Sequence, residues 1–151
     1  MKIEESKVLV VGTGVSGIAA AELLLEKKID TVLFDANKEL DLEKFHEKAP
    51  ALKDVPMILG ELTEEQMHEF GVAVLSPGVP TDLPMVERLR AQNVAIWGEI
   101  ELAYHFGKGR LIAITGTNGK TTTTALTGEI MKNYFKDVRV VGNIGIPYTS
   151  E

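Results

Sequence analysis

The chain has 151 residues, 44% hydrophobic and 25% charged, enough for one ordinary domain or for a small domain plus part of another. A net charge of −6 supplies no basic footprint for nucleic acid, and the absence of cysteine excludes disulfides, thiolate catalysis and cysteine-based metal sites. The start, "MKIEESKVLVVG", lacks the basic and long apolar parts of a signal peptide, and no run approaches the ~20 apolar residues of a membrane helix, so a cytoplasmic protein without membrane contact is expected.

In chain order, "KVLVVG" (7–12) is short, apolar and stopped by glycine, which predicts a buried strand. Residues 16–27 predict a helix with little polar surface, and "TVLFD" (31–35) a second buried strand. A weaker helix is expected over 41–48 and a short strand at "PMILG". Thr63 and Gln66 have capping-box spacing, so a short helix starts there. "VAVL" (72–75) predicts a strand, "SPGVPTD" a loop, 83–92 a helix and "VAIW" (94–97) a strand. "GEIELAYHF" predicts a helix, "GKG" (107–109) a break and "RLIAIT" (110–115) a strand. A helix over 120–134 puts Leu126, Ile130 and Tyr134 on one face, and "VRVVG" (138–142) closes the pattern as a strand. Strands alternating with helices imply an α/β fold with a Rossmann-like, doubly wound parallel sheet. Two glycine-rich strand-to-helix turns lie about a domain apart. The expected division is therefore 1–97 for the Rossmann-like domain and 98–151 for the first βαβ part of an incomplete, P-loop ATPase-like domain.

The first turn, Gly12-Thr-Gly14-Val-Ser-Gly17, has dinucleotide-loop spacing between a strand and a helix. The helix start offers free N–H groups to an anion. Asp35, eighteen residues after Gly17, stands where such sites place an acid against ribose. Alone, these residues suggest NAD or FAD, or a turn whose glycines only serve packing. "LSPGVP" (75–80) adds the Ser76 hydroxyl and the unshielded Gly78 backbone at another strand end, a place where ligands bind in such sheets. An ordinary Pro-Gly turn is the plainer reading of that stretch.

The second turn, "ITGTNGKTTTT" (114–124), ends like a phosphate loop but has Ile114 where the usual pattern has its first glycine. Gly116 can make the tight turn instead. Lys120 then supplies a cation to the β/γ phosphates of ATP, and Thr121 a hydroxyl to Mg²⁺. "GNIGIP" (142–147) follows the next predicted strand, with Asn143 able to bond a ligand there, although an ordinary Gly-Asn turn is the plainer local reading. His46, His68 and His105 show no metal-ligand spacing and read as surface residues.

Taken in order, "GTGVSG", "FDAN", "LSPGVP", "WGEIELA", "ITGTNGKTTTT" and "GNIGIP" resemble the Mur ligases of bacterial peptidoglycan synthesis over essentially the whole chain. Asn118 and the "SPG" segment favour the D-glutamate-adding branch, since alanine-adding relatives usually have His at the first position and lack the second. Folate-chain ligases share the loop but typically have Gly where Thr121 stands. The resemblance implies that the first domain binds the UDP-sugar UDP-N-acetylmuramoyl-L-alanine, not NAD. Gly14, Val15, Ser16, Ser76 and Gly78 would meet the pyrophosphate, Asp35 would face the uridine, and Asn143 would lie near the sugar substrate. Gly116, Thr117, Asn118, Gly119, Lys120, Thr121 and Thr122 would hold ATP, with Lys120 and Thr121 as the catalytic pair and Mg²⁺ on Thr121. Family enzymes phosphorylate the substrate carboxylate, and the D-glutamate amino group attacks the acyl phosphate.

The family's chains are far longer, with a magnesium-binding glutamate, a modified lysine and an amino-acid-binding domain beyond the GNIG segment. This chain is therefore expected to be catalytically incomplete. With its second sheet unfinished, 98–151 is expected to expose apolar surface and either to be disordered or to pair with a second copy by swapping or edge association. Three other readings compete. An NAD-dependent oxidoreductase leaves GTNGKT without a task. A non-catalytic UDP-ligand-binding module makes the same binding prediction. A P-loop ATPase or GTPase lacks an apolar strand ending in Asp after Thr121.

Overall fold

The computed structural model describes residues 2–142 and 147–150. Five parallel strands form one sheet: β1 (Val8–Val11), β2 (Thr31–Asp35), β3 (Met57–Leu59), β4 (Val72–Leu75) and β5 (Ala95–Gly98). Their spatial order is β3-β2-β1-β4-β5. The order reverses between β1 and β4, where the crossover to β2 runs one way and that to β4 the other. In open α/β sheets this reversal opens a crevice at the carboxyl ends of the strands.

The strands read as continuous apolar runs because both sheet faces are covered. One face packs Val8, Val10, Leu33, Val72 and Val74 against Leu24 of α1 (Val15–Glu26), Phe45 of α2 (Leu42–Lys48) and Leu102 of α5 (Glu99–Phe106). The other packs Leu9, Val11, Val32, Phe34 and Leu75 against Met67 of α3 (Glu64–Met67) and Val86 and Leu89 of α4 (Pro84–Ala91). Strict alternation of these side chains between the two clusters is the period of two that a strand imposes. The α3 capping box forms as expected: the Thr63 hydroxyl accepts from the Gln66 N–H, and the Gln66 side chain accepts from the Thr63 N–H.

Beyond α5 the expected elements change. Helix α6 (Lys120–Lys132) is present, but 110–115 forms no strand, and 138–142 contributes only an isolated bridge at Val141. Their β-branched composition gives them strand propensity, yet a strand exists only by pairing, and no described strand lies beside 110–115. The consequence is bare apolar surface: Leu111, Ile112, Leu126, Ile130, Tyr134 and Phe135 are all exposed. The helical face of Leu126, Ile130 and Tyr134 is thus apolar without a layer to cover it. Gly128 is the buried residue of α6, where a Cβ would lie 2.6 Å from a Val140 methyl. A short 3-10 turn, Tyr148–Ser150, rests against α1 and α5. Among the described residues no helix is long and apolar enough to cross a membrane.

Candidate functional site

The strand register builds the first site. The Gly12 N–H donates to the Phe34 carbonyl at 2.8 Å, and the Ser76 N–H to the Val11 carbonyl at 3.1 Å, so the ends of β1, β2 and β4 are level. The glycine turn leaves this edge and enters α1, whose first helical bond runs from Ile18 N–H to the Gly14 carbonyl at 2.9 Å. Gly14 is the N-cap and supplies no side-chain cap. The N–H groups of Val15, Ser16 and Gly17 therefore face outward at the positive end of the helix, a ready seat for phosphate oxygens.

The glycines divide by role. A Cβ on Gly17 would run into the Gly12 carbonyl group and would come 2.9 Å from the Ser76 Oγ. Gly17 thus lets α1 close onto the strand edge. A Cβ on Gly14 or Gly78 would meet nothing within 4 Å among the described residues, so both leave open backbone for a ligand. Ser76 sits beneath the turn, and its buried hydroxyl has no hydrogen-bond partner among the described residues. An orphaned buried hydroxyl costs free energy unless something satisfies it, and the turn above Ser76 would have to shift for a ligand to reach it.

Asp35 ends β2 and is half-buried. Its Oδ2 accepts from the Thr13 N–H at 3.1 Å and from the Thr13 hydroxyl at 2.5 Å. Its Oδ1 accepts from the Asn37 N–H at 2.9 Å. Asp35 therefore pins the glycine turn to the neighbouring strand, with little lone-pair capacity left over for a ligand. Beside it opens a crevice of about 360 Å³, walled by Phe34, Leu62, Val79, Leu83 and Met85, with Asp35, Gly78 and Arg88 on its border. Apolar walls with few polar groups suit a flat nucleobase. A groove of about 490 Å³ near Trp97, Tyr104 and Lys108 lies at the end of α5 and contains none of the candidate residues.

The second site is the loop from Gly116 to Thr122. Gly119 is left-handed, at φ 74°, and serves as the N-cap of α6 without a side-chain cap. Only glycine holds that conformation without strain. The first helical bond runs from Thr123 N–H to the Gly119 carbonyl at 2.9 Å, which leaves the N–H groups of Lys120, Thr121 and Thr122 for an anion. The Lys120 ammonium folds back onto the Gly116 carbonyl and reaches that of Thr117 at 3.5 Å. Gly116, Thr117, Asn118, Gly119, Lys120, Thr121 and Thr122 are all exposed. These groups fit a triphosphate. For a metal the fit is thinner: among the described residues no group of three or more His, Cys, Asp and Glu could hold an ion. Thr121 would contribute one oxygen, with phosphate and water completing the shell.

The structure thus brings Gly14, Val15, Ser16, Asp35, Ser76 and Gly78 to one strand edge and keeps the phosphate loop on a separate helix start. Asn143 lies outside the described residues. His46, His68 and His105 sit on or beside helices, and His105 bonds Glu4 at 3.2 Å. The reading of the sequence missed Thr13, Arg88 and the apolar walls. Thr13 is an unmarked position of the glycine motif, and Arg88 reaches the crevice only because α4 packs on the sheet beside β5.

Known proteins share this sequence and fold. The model for "Mur ligase MurD-like, N-terminal domain" matches residues 6–98. A UDP-N-acetylmuramoylalanine–D-glutamate ligase of Lachnoclostridium phytofermentans is 57% identical over 143 residues, covering 95% of this chain and 32% of the relative. The ligase of the same name from Lachnospira eligens is 48% identical over 151 residues, covering 100% and 33%. The chain spans about a third of the length of these curated relatives. Among solved structures, a pseudomurein peptide ligase type C from Methanothermus fervidus superposes with a TM-score of 0.55 at 21% identity, covering 85% of this chain and 26% of that one. The UDP-N-acetylmuramate-alanine ligase MurC of Thermotoga maritima gives 0.54 at 23%, covering 85% and 29%. These two likenesses show the fold alone. The family match spans the whole five-stranded sheet and its crevice, and the chain belongs to the MurD-like Mur ligases through their N-terminal domain.

Proposed function

We propose that this chain is the UDP-sugar-binding part, with the start of the ATP-binding part, of an ATP-dependent ligase that adds D-glutamate to UDP-N-acetylmuramoyl-L-alanine. The two parts are residues 1–97 and 98–151. The observation that carries this reading is the strand edge itself: open backbone at Gly14 and Gly78, free N–H groups at the start of α1, an orphaned Ser76 hydroxyl and an apolar slot, all on one edge. Those features suit a pyrophosphate joined to a base.

The uridine would lie in the slot beside Asp35, whose part is to hold the turn in place. The pyrophosphate would take the N–H groups of Val15 and Ser16 and the backbone at Gly78. ATP, when bound, supplies the phosphoryl group that turns a poor acylating carboxylate into a good one. In this chain Lys120 would leave the Gly116 carbonyl and place its charge beside the phosphates, while the helix-start N–H groups of Lys120, Thr121 and Thr122 bind their oxygens. On this reading the chain binds the UDP-sugar and ATP and does not complete the reaction alone. Its bare apolar side chains, Tyr134 at 79% exposure and Leu126 at 61%, support self-association at high concentration.

Amide chemical shifts test the assignment of the two sites separately. UDP-N-acetylmuramoyl-L-alanine should move Val15, Ser16 and Gly78, and ATP with Mg²⁺ should move Gly119 to Thr122. Shifts of the first group with ATP and not with the UDP-sugar would reverse the assignment.

A further inference from the structure

Glu99 opens α5 and is buried, although it carries a carboxyl group. Its Oε1 accepts two hydrogen bonds from a residue fifty positions away: one from the Thr149 N–H at 2.8 Å, one from the Thr149 hydroxyl at 3.0 Å. Thr149 is buried as well. The preceding residue, Tyr148, sits against the break after α5, where a Cβ on Gly107 would lie 2.7 Å from the tyrosine hydroxyl. The place suits an acid. The N-cap, Gly98, gives no side-chain cap, so the start of α5 keeps its partial positive charge, and two donors converge on one oxygen. Among the described residues, none assigned to either nucleotide bonds Glu99.

The chain leaves the first sheet's helical layer after α5, carries the phosphate loop and α6, and touches that layer again at Tyr148–Ser150. The base of this excursion is closed by Glu99 and Thr149. From these contacts we infer that Glu99 is a positioning residue: it clamps the returning chain onto α1 and α5. The phosphate-loop segment is thereby held to the crevice-bearing sheet at two points instead of swinging from one. Its value to the ligase, a fixed path between ATP and the UDP-sugar, rests on the function proposed above; the clamp itself does not.

The test needs no nucleotide. The chain has no cysteine, so Lys48→Cys on α2 and Lys132→Cys on α6 accept a pair of spin labels without further change. The doubly labelled chain should give a narrow distance distribution. E99A should broaden it and speed exchange of the Thr149 amide by about tenfold or more, while amides of β1 and β4 stay protected. E99Q keeps an oxygen that accepts both bonds and should restore the narrow distribution and the slow exchange. A narrow distribution in E99A, or a broad one in E99Q, overturns the inference. If E99A does not fold, T149V against T149S decides, since only the first removes the hydroxyl donor and both leave the sheet untouched. Equal distributions for those two overturn it. Failure of UDP-sugar binding would leave this result standing, and the reverse holds too.

Discussion

Asp35 and Thr13 are joined twice at the edge of the sheet: the Thr13 N–H and hydroxyl both donate to Asp35 Oδ2, at 3.1 and 2.5 Å. This pair ties the glycine turn of β1 to the end of β2. Asp35→Ala would strand two part-buried donors, at a cost of about 1–2 kcal/mol. Thr13→Ala would cost less, because the backbone bond remains. Urea unfolding of the two variants measures the difference. Asp35→Ala should also weaken UDP-sugar binding, by loosening the turn. A variant as stable as the parent would remove Asp35 from this role.

Gly17 and Gly14 should separate folding from binding. Gly17→Ala forces α1 away from the Gly12 carbonyl, and overpacking of this kind costs about 1–3 kcal/mol. Gly14→Ala meets no atom and should change stability by about 0.5 kcal/mol or less, yet its methyl would stand where a pyrophosphate approaches. Thermal unfolding read beside ligand titration distinguishes the two. Equal losses of stability in both variants would contradict the division.

The phosphate loop should be independent of the crevice. Lys120→Ala removes an exposed ammonium that bonds only loop carbonyls, so stability should hold within about 0.5 kcal/mol. ATP binding should fall sharply and UDP-sugar binding should stay as it was. Gly119→Ala places a Cβ at φ 74°, which costs about 1–2 kcal/mol in the local helix start, and should weaken ATP in parallel. Fluorescent-nucleotide titrations of both variants check this.

Two charged contacts contribute to how stability varies with pH. The hydrogen bond from Lys7 to Glu69, at 2.5 Å, raises Lys7 above its ordinary value of 10.5. Its contribution is full below that value and is lost as pH rises through the raised one. At the acid end, the backbone N–H of Lys44, and then its ammonium, hold Asp41 below its ordinary value of 3.8. That contribution is present above 3.8 and is lost as pH falls through the lowered value. Lys7→Met should flatten the alkaline limb of a stability-against-pH curve, and Asp41→Ala the acid limb. Both pairs are largely exposed, so salt should shrink both effects.

The first sheet was legible because each strand's signal is local and the three central strands are almost wholly buried. The run Val8–Val11 reads as a buried strand, and Thr63 with Gln66 reads as a cap, whatever lies elsewhere. The same local signal failed at 110–115. Leu111 and Ile112 give strand propensity, but a ladder needs a neighbour, and composition says nothing about whether one exists. The site divides the same way. Gly12, Gly14 and Gly17 are visible as a motif, whereas the double bond between Thr13 and Asp35 depends on the register of β1 with β2. The burial of the Ser76 hydroxyl depends on β4 lying next to β1. These are non-local facts, and a one-residue slip in register would erase them.

The central claim, that the crevice of the first sheet takes a UDP-sugar, is tested most directly by calorimetric titration of this chain with UDP-N-acetylmuramoyl-L-alanine, with NAD⁺ titrated separately. The account predicts binding of the UDP-sugar, none of NAD⁺, and marked weakening by Gly14→Ala at unchanged stability. Binding of NAD⁺ without the UDP-sugar would contradict it.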